Sequence, residues 1–165
     1  MVPKDSKGST SEISSTTSDP VVPANPNCAE TFASLCLYGD ALVPAQITTV
    51  LGLDPTDAAP KGERTTSSSG KSRTAPTGRW ILESQEQVHS TNLEDHVAWL
   101  LDRIEAAGVV PLTLPGVSRA SIFCYWASAT GNGGPSFSAT VLGRLARMQF
   151  PLEFDLYFPA DTASA

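Results

Sequence analysis

Residues 121–158, SIFCYWASATGNGGPSFSATVLGRLARMQFPLEFDLYF, contain the pattern that decides the fold. Residues 121–127 are rich in β-branched and aromatic side chains, which is typical of a strand. The glycines and the proline of residues 131–135 end that strand. Residues 138–148 then have the spacing of a short amphipathic helix. The stretch therefore begins with a strand, a turn and a helix.

The last part of the stretch, residues 152–158, has a different periodicity. Its side chains alternate along the chain, with Leu152, Phe154, Leu156 and Phe158 set against Glu153, Asp155 and Tyr157. Strict alternation is the pattern of a strand with one buried face. The whole stretch therefore predicts a β-loop-α-β unit, and its apolar faces need a partner from the rest of the chain.

A first strand and a first helix are predicted upstream, between residues 30 and 52. The strand has two different sides, with Ala33, Leu35 and Leu37 on one and Ser34, Cys36 and Tyr38 on the other. Pro44 suits the first turn of a helix, because the N–H that it lacks would have no partner there. Gly52 suits the left-handed position that follows a helix.

A second strand is predicted around Trp80, and a second helix follows it. Asn92 is a good N-cap residue, since its side chain can accept a hydrogen bond from a free backbone N–H. The helix has a buried stripe at helical spacing, formed by Leu93, Val97, Leu100 and Ile104. Gly108 ends the helix.

The resulting order of elements places the chain in the α+β class. We expect a two-layer, ferredoxin-like sandwich, with a four-stranded, mainly antiparallel sheet and helices on one face. A doubly wound parallel sheet is the alternative, but buried parallel strands are continuously apolar, whereas these strands alternate. Residues 1–28, rich in Ser, Thr and Pro, are predicted to form a disordered tail, and residues 29–160 a single domain.

Composition and charge argue against several classes of partner. The net charge of −6 would repel nucleic acids and anionic membranes, so neither is expected as a partner. No apolar run approaches the roughly 20 residues of a membrane span, and no secretory signal is recognised near the first residue. The three cysteines have no C-x-x-C spacing, which favours a reduced protein of the cytoplasm.

The sequence contains no recognisable catalytic or metal-binding pattern. His89 and His96 do not have the spacing of a zinc site, and Cys36 and Cys124 lie on predicted strands without a neighbouring base. The glycine-rich turn 131–134 matches neither of the phosphate-binding motifs G-x-x-x-x-G-K-[ST] and G-x-G-x-x-G. A tight strand-to-helix connection explains the same residues. No catalytic residue, metal ligand or cofactor is therefore predicted.

Two surface features remain as candidates for binding. The sheet face opposite the helices mixes aromatic side chains with carboxylates, which suits a contact surface, although an ordinary solvated face has the same pattern. The loop 61–79 contains five basic residues and one acidic residue, which is also compatible with a solvated flexible loop. The candidate binding residues are Tyr38, Asp40, Lys61, Arg64, Arg79, Glu83, Glu153, Asp155 and Tyr157.

Several short motifs follow one another between residues 31 and 158. They are Leu35-Cys36-Leu37-Tyr38-Gly39-Asp40, Leu51-Gly52-Leu53-Asp54-Pro55-Thr56, Lys61-Gly62-Glu63, Gly78-Arg79-Trp80 and Leu152-Glu153-Phe154-Asp155-Leu156-Tyr157. Their order resembles that of the family called domain of unknown function 4279 (DUF4279), with residues 66–75 as an insertion. The resemblance implies a small, mostly bacterial, stand-alone domain without an established activity. Some similar domains look like immunity or accessory binding proteins, and no catalytic residues transfer from the family.

Three functions are compatible with these observations. The leading hypothesis is a cytoplasmic protein-binding module, immunity-like or accessory, that uses the open sheet face and the basic loop to hold a protein partner. The alternative is a small-ligand or nucleotide sensor that uses the basic loop and the turn 131–134. A hydrolase-like enzyme that relies on Asp40, Glu83 or Asp155 is the third, but nothing places these carboxylates near a nucleophile.

Overall fold

Three helices pack against one face of a five-stranded sheet in the computed structural model, which describes residues 25–66 and 72–159. The α+β class predicted from the sequence is therefore confirmed. Residues 1–24 of the predicted tail lie outside the described residues. Cys28, the last residue of the predicted tail, is already the first residue of a strand.

The described elements follow one another with short connections. The strands are β1 (Cys28–Gly39), β2 (Asp57–Ala59), β3 (Arg64–Thr66), β4 (Ser72–Thr74), β5 (Gly78–Glu83), β6 (Arg119–Ser128) and β7 (Leu152–Tyr157). The helices are α1 (Pro44–Leu51), α2 (Leu93–Ala107) and α3 (Ala139–Arg147), and a short 3₁₀ turn covers Pro111–Thr113.

The main sheet has the strand order β2-β5-β1-β6-β7, with β1 at its centre. Neighbouring strands are antiparallel except for β6 and β7, which are parallel. The sheet is thus five-stranded and mixed, and the predicted four-stranded, ferredoxin-like arrangement is wrong in these details. Strands β3 and β4 form a separate two-stranded hairpin.

The additional strand of the main sheet lies in the region between residues 54 and 78, which the sequence presents as irregular. This region contains β2, β3 and β4, each only three residues long. Three residues are too few to show a period-2 pattern, so such strands have no clear sequence signal. Because β1 and β5 are antiparallel, the first half of the chain does not repeat the parallel β6-α3-β7 unit of the second half.

The β-loop-α-β unit predicted at the end of the chain is confirmed. The Ser138 hydroxyl accepts a hydrogen bond from the Val141 N–H at 3.3 Å and caps α3. The helix then returns the chain so that Leu152 lies beside Ile122, in parallel register. A crossover helix of this kind is the usual connection between parallel neighbours.

The apolar side chains of β1, β5 and α2 that were predicted to face the helices form the core, but Phe154 and Leu156 of β7, predicted to be buried with them, remain 46% and 44% exposed at the edge of the sheet. Leu35, Leu37 and Trp80 are fully buried. The predicted stripe of α2 packs against them, with Leu93, Val97, Leu100 and Ile104 all buried. The predicted ends of α2 are also confirmed, because the Asn92 side chain accepts from the Glu94 N–H and Gly108 adopts a left-handed φ of 67°.

A buried polar chain fixes α2 to the middle of β1, just beyond the end of β5. The Ala33 N–H donates to Ser84 Oγ at 2.9 Å, and Ser84 Oγ lies 2.8 Å from Nδ1 of His96. On the other side of the ring, Nε2 lies 2.9 Å from the Ser90 carbonyl oxygen. A neutral imidazole that carries its hydrogen on Nε2 satisfies the whole chain, since Nδ1 then accepts from the Ser84 hydroxyl. His96 is only 1% exposed, so its protonation would place a charge in the core.

A surface ion-pair cluster connects α3 to α2. The Arg144 guanidinium donates to both carboxylate oxygens of Glu105, at 2.7–3.1 Å, and to Asp102 at 2.6 Å. These contacts lower the pKa of Glu105 and raise that of Arg144. The bidentate geometry fixes the direction of α3, and α3 in turn leads directly into β7.

The His96 network predicts a pH-dependent stability. Burial lowers the pKa of His96 below its ordinary value of 6.5. The stabilisation is therefore complete above pH 6.5 and is lost as the pH falls towards the lower pKa of the folded state, because only the unfolded chain takes up the proton readily. Urea titrations at about pH 7 and about pH 5 should show this loss in the wild type and a smaller one in His96→Gln.

The exposed His89 provides the matched control. His89→Gln should retain the pH dependence of the wild type. An equal loss of stability in His96→Gln and in the wild type would contradict the assignment to His96.

Candidate functional site

The sheet has one face that none of the described helices covers, which we call the open face. The strand registers place residues of the five strands side by side on it. Its side chains come from alternate positions: Phe32, Ser34, Cys36, Tyr38, Arg79, Ile81, Glu83, Arg119, Ser121, Phe123, Tyr125, Glu153, Asp155 and Tyr157. All of the sheet residues predicted to lie on this face are therefore brought together on it.

An aromatic cluster occupies one half of the open face. The rings of Phe32 and Tyr125 are stacked, with centroids 4.9 Å apart and an interplanar angle of 16°. Phe123 lies 6.4 Å from Phe32, and Tyr157 lies 5.4 Å from Tyr125. Tyr157 remains 54% exposed, although it belongs to the cluster. Burial and the nearby Glu30 carboxylate raise the pKa of Tyr125.

Arg119 organises the other half of the open face. Its guanidinium donates to both carboxylate oxygens of Glu153, at 3.1 and 3.2 Å. It also lies over the ring of Tyr38, 5.0 Å from the centroid, in the geometry of a cation–π contact. Burial raises the pKa of Tyr38 to about 12. Arg119 therefore holds both Glu153 and Tyr38, and it neutralises the carboxylate of Glu153 within the open face.

Asp155 and Glu83 differ from Glu153, which is paired with Arg119. Among the described residues, neither of these two carboxylates has an ion-pair partner. Asp155 lies beside Tyr125 in the sheet register, so it stands next to the exposed aromatic cluster. The open face thus combines aromatic surface with uncompensated negative charge.

The basic loop is less positive than its sequence suggests. Lys61 forms an ion pair with Asp40, and this contact lowers the pKa of the Asp40 carboxyl. Arg79 donates to Asp57, with Nη2 3.2 Å from Oδ1, and the contact raises the pKa of Arg79. Arg64 is exposed on β3, while Lys71 lies outside the described residues. Asp40 and Asp57, which both precede this loop in the sequence, therefore neutralise two of its basic side chains.

The centre of the open face contains small, buried polar side chains. Ser34 and Ser121 are almost completely buried, and among the described residues neither hydroxyl has a hydrogen-bond partner. Cys36 lies opposite Ser121 and is buried as well. A buried hydroxyl without a partner costs free energy, so these two serines reduce the stability of the domain.

This cost can be measured by substitution. Ser121→Ala and Ser34→Ala should each increase the free energy of unfolding by about 1 kcal/mol, because they remove an unsatisfied hydroxyl. Ser84→Ala is the matched control, since that buried hydroxyl accepts from the Ala33 N–H and is hydrogen-bonded to His96. It should decrease the free energy of unfolding by about 1–3 kcal/mol. Urea denaturation measures all three, and a loss of stability in Ser121→Ala equal to that in Ser84→Ala would contradict the interpretation.

The thiols and carboxylates of the described residues do not form a catalytic centre. All three cysteines are free and buried, and burial raises the pKa of Cys124 to about 12, so its thiolate is inaccessible. No group of metal-binding side chains occurs in residues 25–66 and 72–159. Glu83 and Asp155 lie on β5 and β7, three strand spacings or roughly 14 Å apart. Glu83 and Asp155, two of the three carboxylates considered for a hydrolase, therefore do not converge.

The two parts of a ligand site considered from the sequence lie at opposite ends of the sheet. The carbonyl oxygen of Gly134 accepts from the Asn25 side chain at 3.2 Å, just before β1 begins. Arg79 lies beside Tyr38, near the end of β1. Eleven residue steps along β1 correspond to roughly 36 Å. The turn 131–134 and the basic loop thus cannot contact one small ligand.

Several residues of the open face were not singled out from the sequence. Phe32, Phe123 and Tyr125 build the aromatic cluster, and Arg119 holds Glu153. The period-2 pattern of β1, continued back to Phe32, places that ring on the same face as Tyr38. The pairing of Arg119 with Glu153 depends on strand register across the sheet, which the sequence does not display.

The fold and the open face define a small α+β domain with one helix-covered sheet face and one aromatic–acidic face. The chain belongs to the family described as "Domain of unknown function (DUF4279)", whose model matches residues 29–159. The resemblance seen in the order of the sequence motifs is therefore confirmed. No curated protein and no solved structure matches the chain.

Proposed function

We propose that this domain is a protein-binding module and that its open face is the contact surface. The observation that carries the proposal is the exposed part of the aromatic cluster, Tyr157 beside Tyr125, next to the unpaired carboxylate of Asp155. Aromatic side chains dominate the energy of protein interfaces, since they bury a large area at a small entropic cost. An unpaired carboxylate at the margin adds electrostatic selectivity for the partner.

The basic loop contributes to the rim of this surface. Arg79 lies beside Tyr38 in the sheet register, and its guanidinium is held in place by Asp57. Lys61 lies at the same end of the sheet, where it contacts Asp40 directly after β1. A polar rim around an aromatic centre is the usual composition of a protein interface.

The proposed setting is a bacterial cytoplasm, in an immunity-like or accessory role. All three cysteines are free, as in proteins of reducing compartments. Within the described part of the chain, no helix has the length and apolar character that a membrane crossing requires. Both observations are compatible with the proposed setting.

Two substitutions on the open face test the proposal. Tyr157→Ala removes an exposed ring, and Asp155→Lys reverses the unpaired charge. Each should leave the melting temperature nearly unchanged and reduce the amount of partner recovered in a quantitative pulldown by about tenfold, the loss expected of an interface hot spot. Leu142→Ala and Asp54→Lys are the matched controls, because both residues are exposed and lie off the open face. Full recovery of every partner by both face variants would refute the proposal.

A second candidate function is the binding of a small anion at the basic loop. A cavity of about 500 Å³ is lined by Arg73, Thr74, Ala75, Pro76 and Arg79. Two guanidinium groups at one cavity suit a phosphate or a nucleotide phosphate chain, which would share Arg79 with Asp57.

A thermal-shift screen tests this second function. A ligand present at about 100 times its Kd should stabilise the protein by roughly 2.7 kcal/mol. Inorganic phosphate and nucleotides are the probes, and the shift should disappear in Arg79→Gln. Unchanged melting temperatures with every probe would eliminate the anion site.

A further inference from the structure

Strand β7 is the last strand of the main sheet, and its outer edge has no neighbouring strand among the described residues. In the parallel pair with β6, the Ile122 N–H donates to the Pro151 carbonyl at 3.0 Å. The main-chain groups of residues 153, 155 and 157 therefore point towards β6, and those of Phe154 and Leu156 point away from the sheet. The outer edge thus presents free N–H and C=O groups at regular spacing.

The side chains along this edge leave it unprotected. Phe154 and Leu156 are 46% and 44% exposed on the helix side of the sheet, and Phe158 continues the apolar row. Exposed edges are usually blocked by charges, prolines or very short strands. The opposite edge follows this rule, since β2 has only three residues. On β7, Glu153 is neutralised by Arg119, so Asp155 is the only uncompensated charge of the strand.

We infer that β7 binds an extended segment of a cationic protein partner by strand addition, with basic and apolar side chains alternating along that segment. The inference rests on the proposed function and adds the mode of binding and the chemistry of the partner. Successive residues of an added strand point to opposite faces of the sheet. Basic side chains on the open face would meet Asp155 and the exposed ring of Tyr157, and apolar ones on the other face would meet Phe154 and Leu156.

Charge complementarity favours this occupant over a second copy of the chain. An antiparallel pair of two β7 strands centred on Asp155 would place two uncompensated aspartates opposite each other. Pairs centred on Phe154 or Leu156 avoid that contact and leave the general repulsion between two acidic chains. Like charges directly opposite across strands are destabilising, and each chain already has a net charge of −6. A basic segment removes this repulsion.

A proline substitution separates the main-chain contribution from that of the side chains. The Leu156 N–H points away from β6, so Leu156→Pro removes an outward donor without breaking the β6–β7 ladder. Leu156→Val retains the donor and a branched apolar side chain, and serves as the matched control. Thermal denaturation of both variants checks that the fold is retained, and both should melt as cooperatively as the wild type.

The experiment selects peptides from a random 12-residue phage-displayed library on the full-length protein. The enriched sequences should alternate Lys or Arg with aliphatic residues. Synthetic copies should bind Leu156→Pro about tenfold more weakly than the wild type by fluorescence anisotropy, because one main-chain hydrogen bond is lost. Leu156→Val should bind nearly as well as the wild type, and Asp155→Lys should bind weakly. Binding should also decrease as the salt concentration increases.

The outcomes distinguish this inference from the proposed function. Peptides without alternation, no enrichment, or equal binding to Leu156→Pro and the wild type would overturn strand addition. The proposed function would survive such a result if Tyr157→Ala and Asp155→Lys still lose their partner in the pulldown. A stable dimer of the free protein that Leu156→Pro disrupts in sedimentation analysis would also overturn the inference, since a second copy would then occupy the edge.

Discussion

The twelve-residue strand β1 is the constraint on which the rest of the structure depends. It is hydrogen-bonded to β5 on one side and to β6 on the other, so its register determines which residues of both neighbours share a face. On one face, Ala33, Leu35 and Leu37 are fully buried beneath the helices. On the other face, the same alternation places Phe32 and Tyr38 among the side chains of the open face. A shift of one residue would exchange the two faces, and the core would lose its apolar floor.

Polar contacts then determine how the helices lie on that floor. The Ser84–His96 hydrogen bond joins the end of β5 to the first turn of α2, and the Arg144 contacts join α3 to α2. Through α3, the position of α2 also influences where β7 begins. Apolar packing alone is not directional, whereas these hydrogen bonds select one arrangement of α2 and α3 on the sheet. The aromatic–acidic face is thus supported from the opposite side of the sheet.

The elements with a long periodic pattern could be predicted from the sequence. The alternation of β1 and β7, the helical stripe of α2 and the caps Asn92 and Gly108 all depend on local spacing. The strands β2, β3 and β4 could not be predicted, because three residues carry no period. The candidate site was only partly predictable for a related reason. The pairing of Lys61 with Asp40, of Arg79 with Asp57 and of Arg119 with Glu153 joins residues that are distant in sequence.

The position of β1 also has a consequence for synthesis on the ribosome. Its first neighbour, β5, is made soon after it, but its second neighbour, β6, pairs Ile122 with Leu35 and emerges much later. Such long-range pairing slows folding, because a long loop must close before its contacts contribute. Until β6 leaves the exit tunnel, the longest strand of the nascent chain has one edge without a neighbouring strand. Chaperone contact during translation is therefore most valuable in that interval.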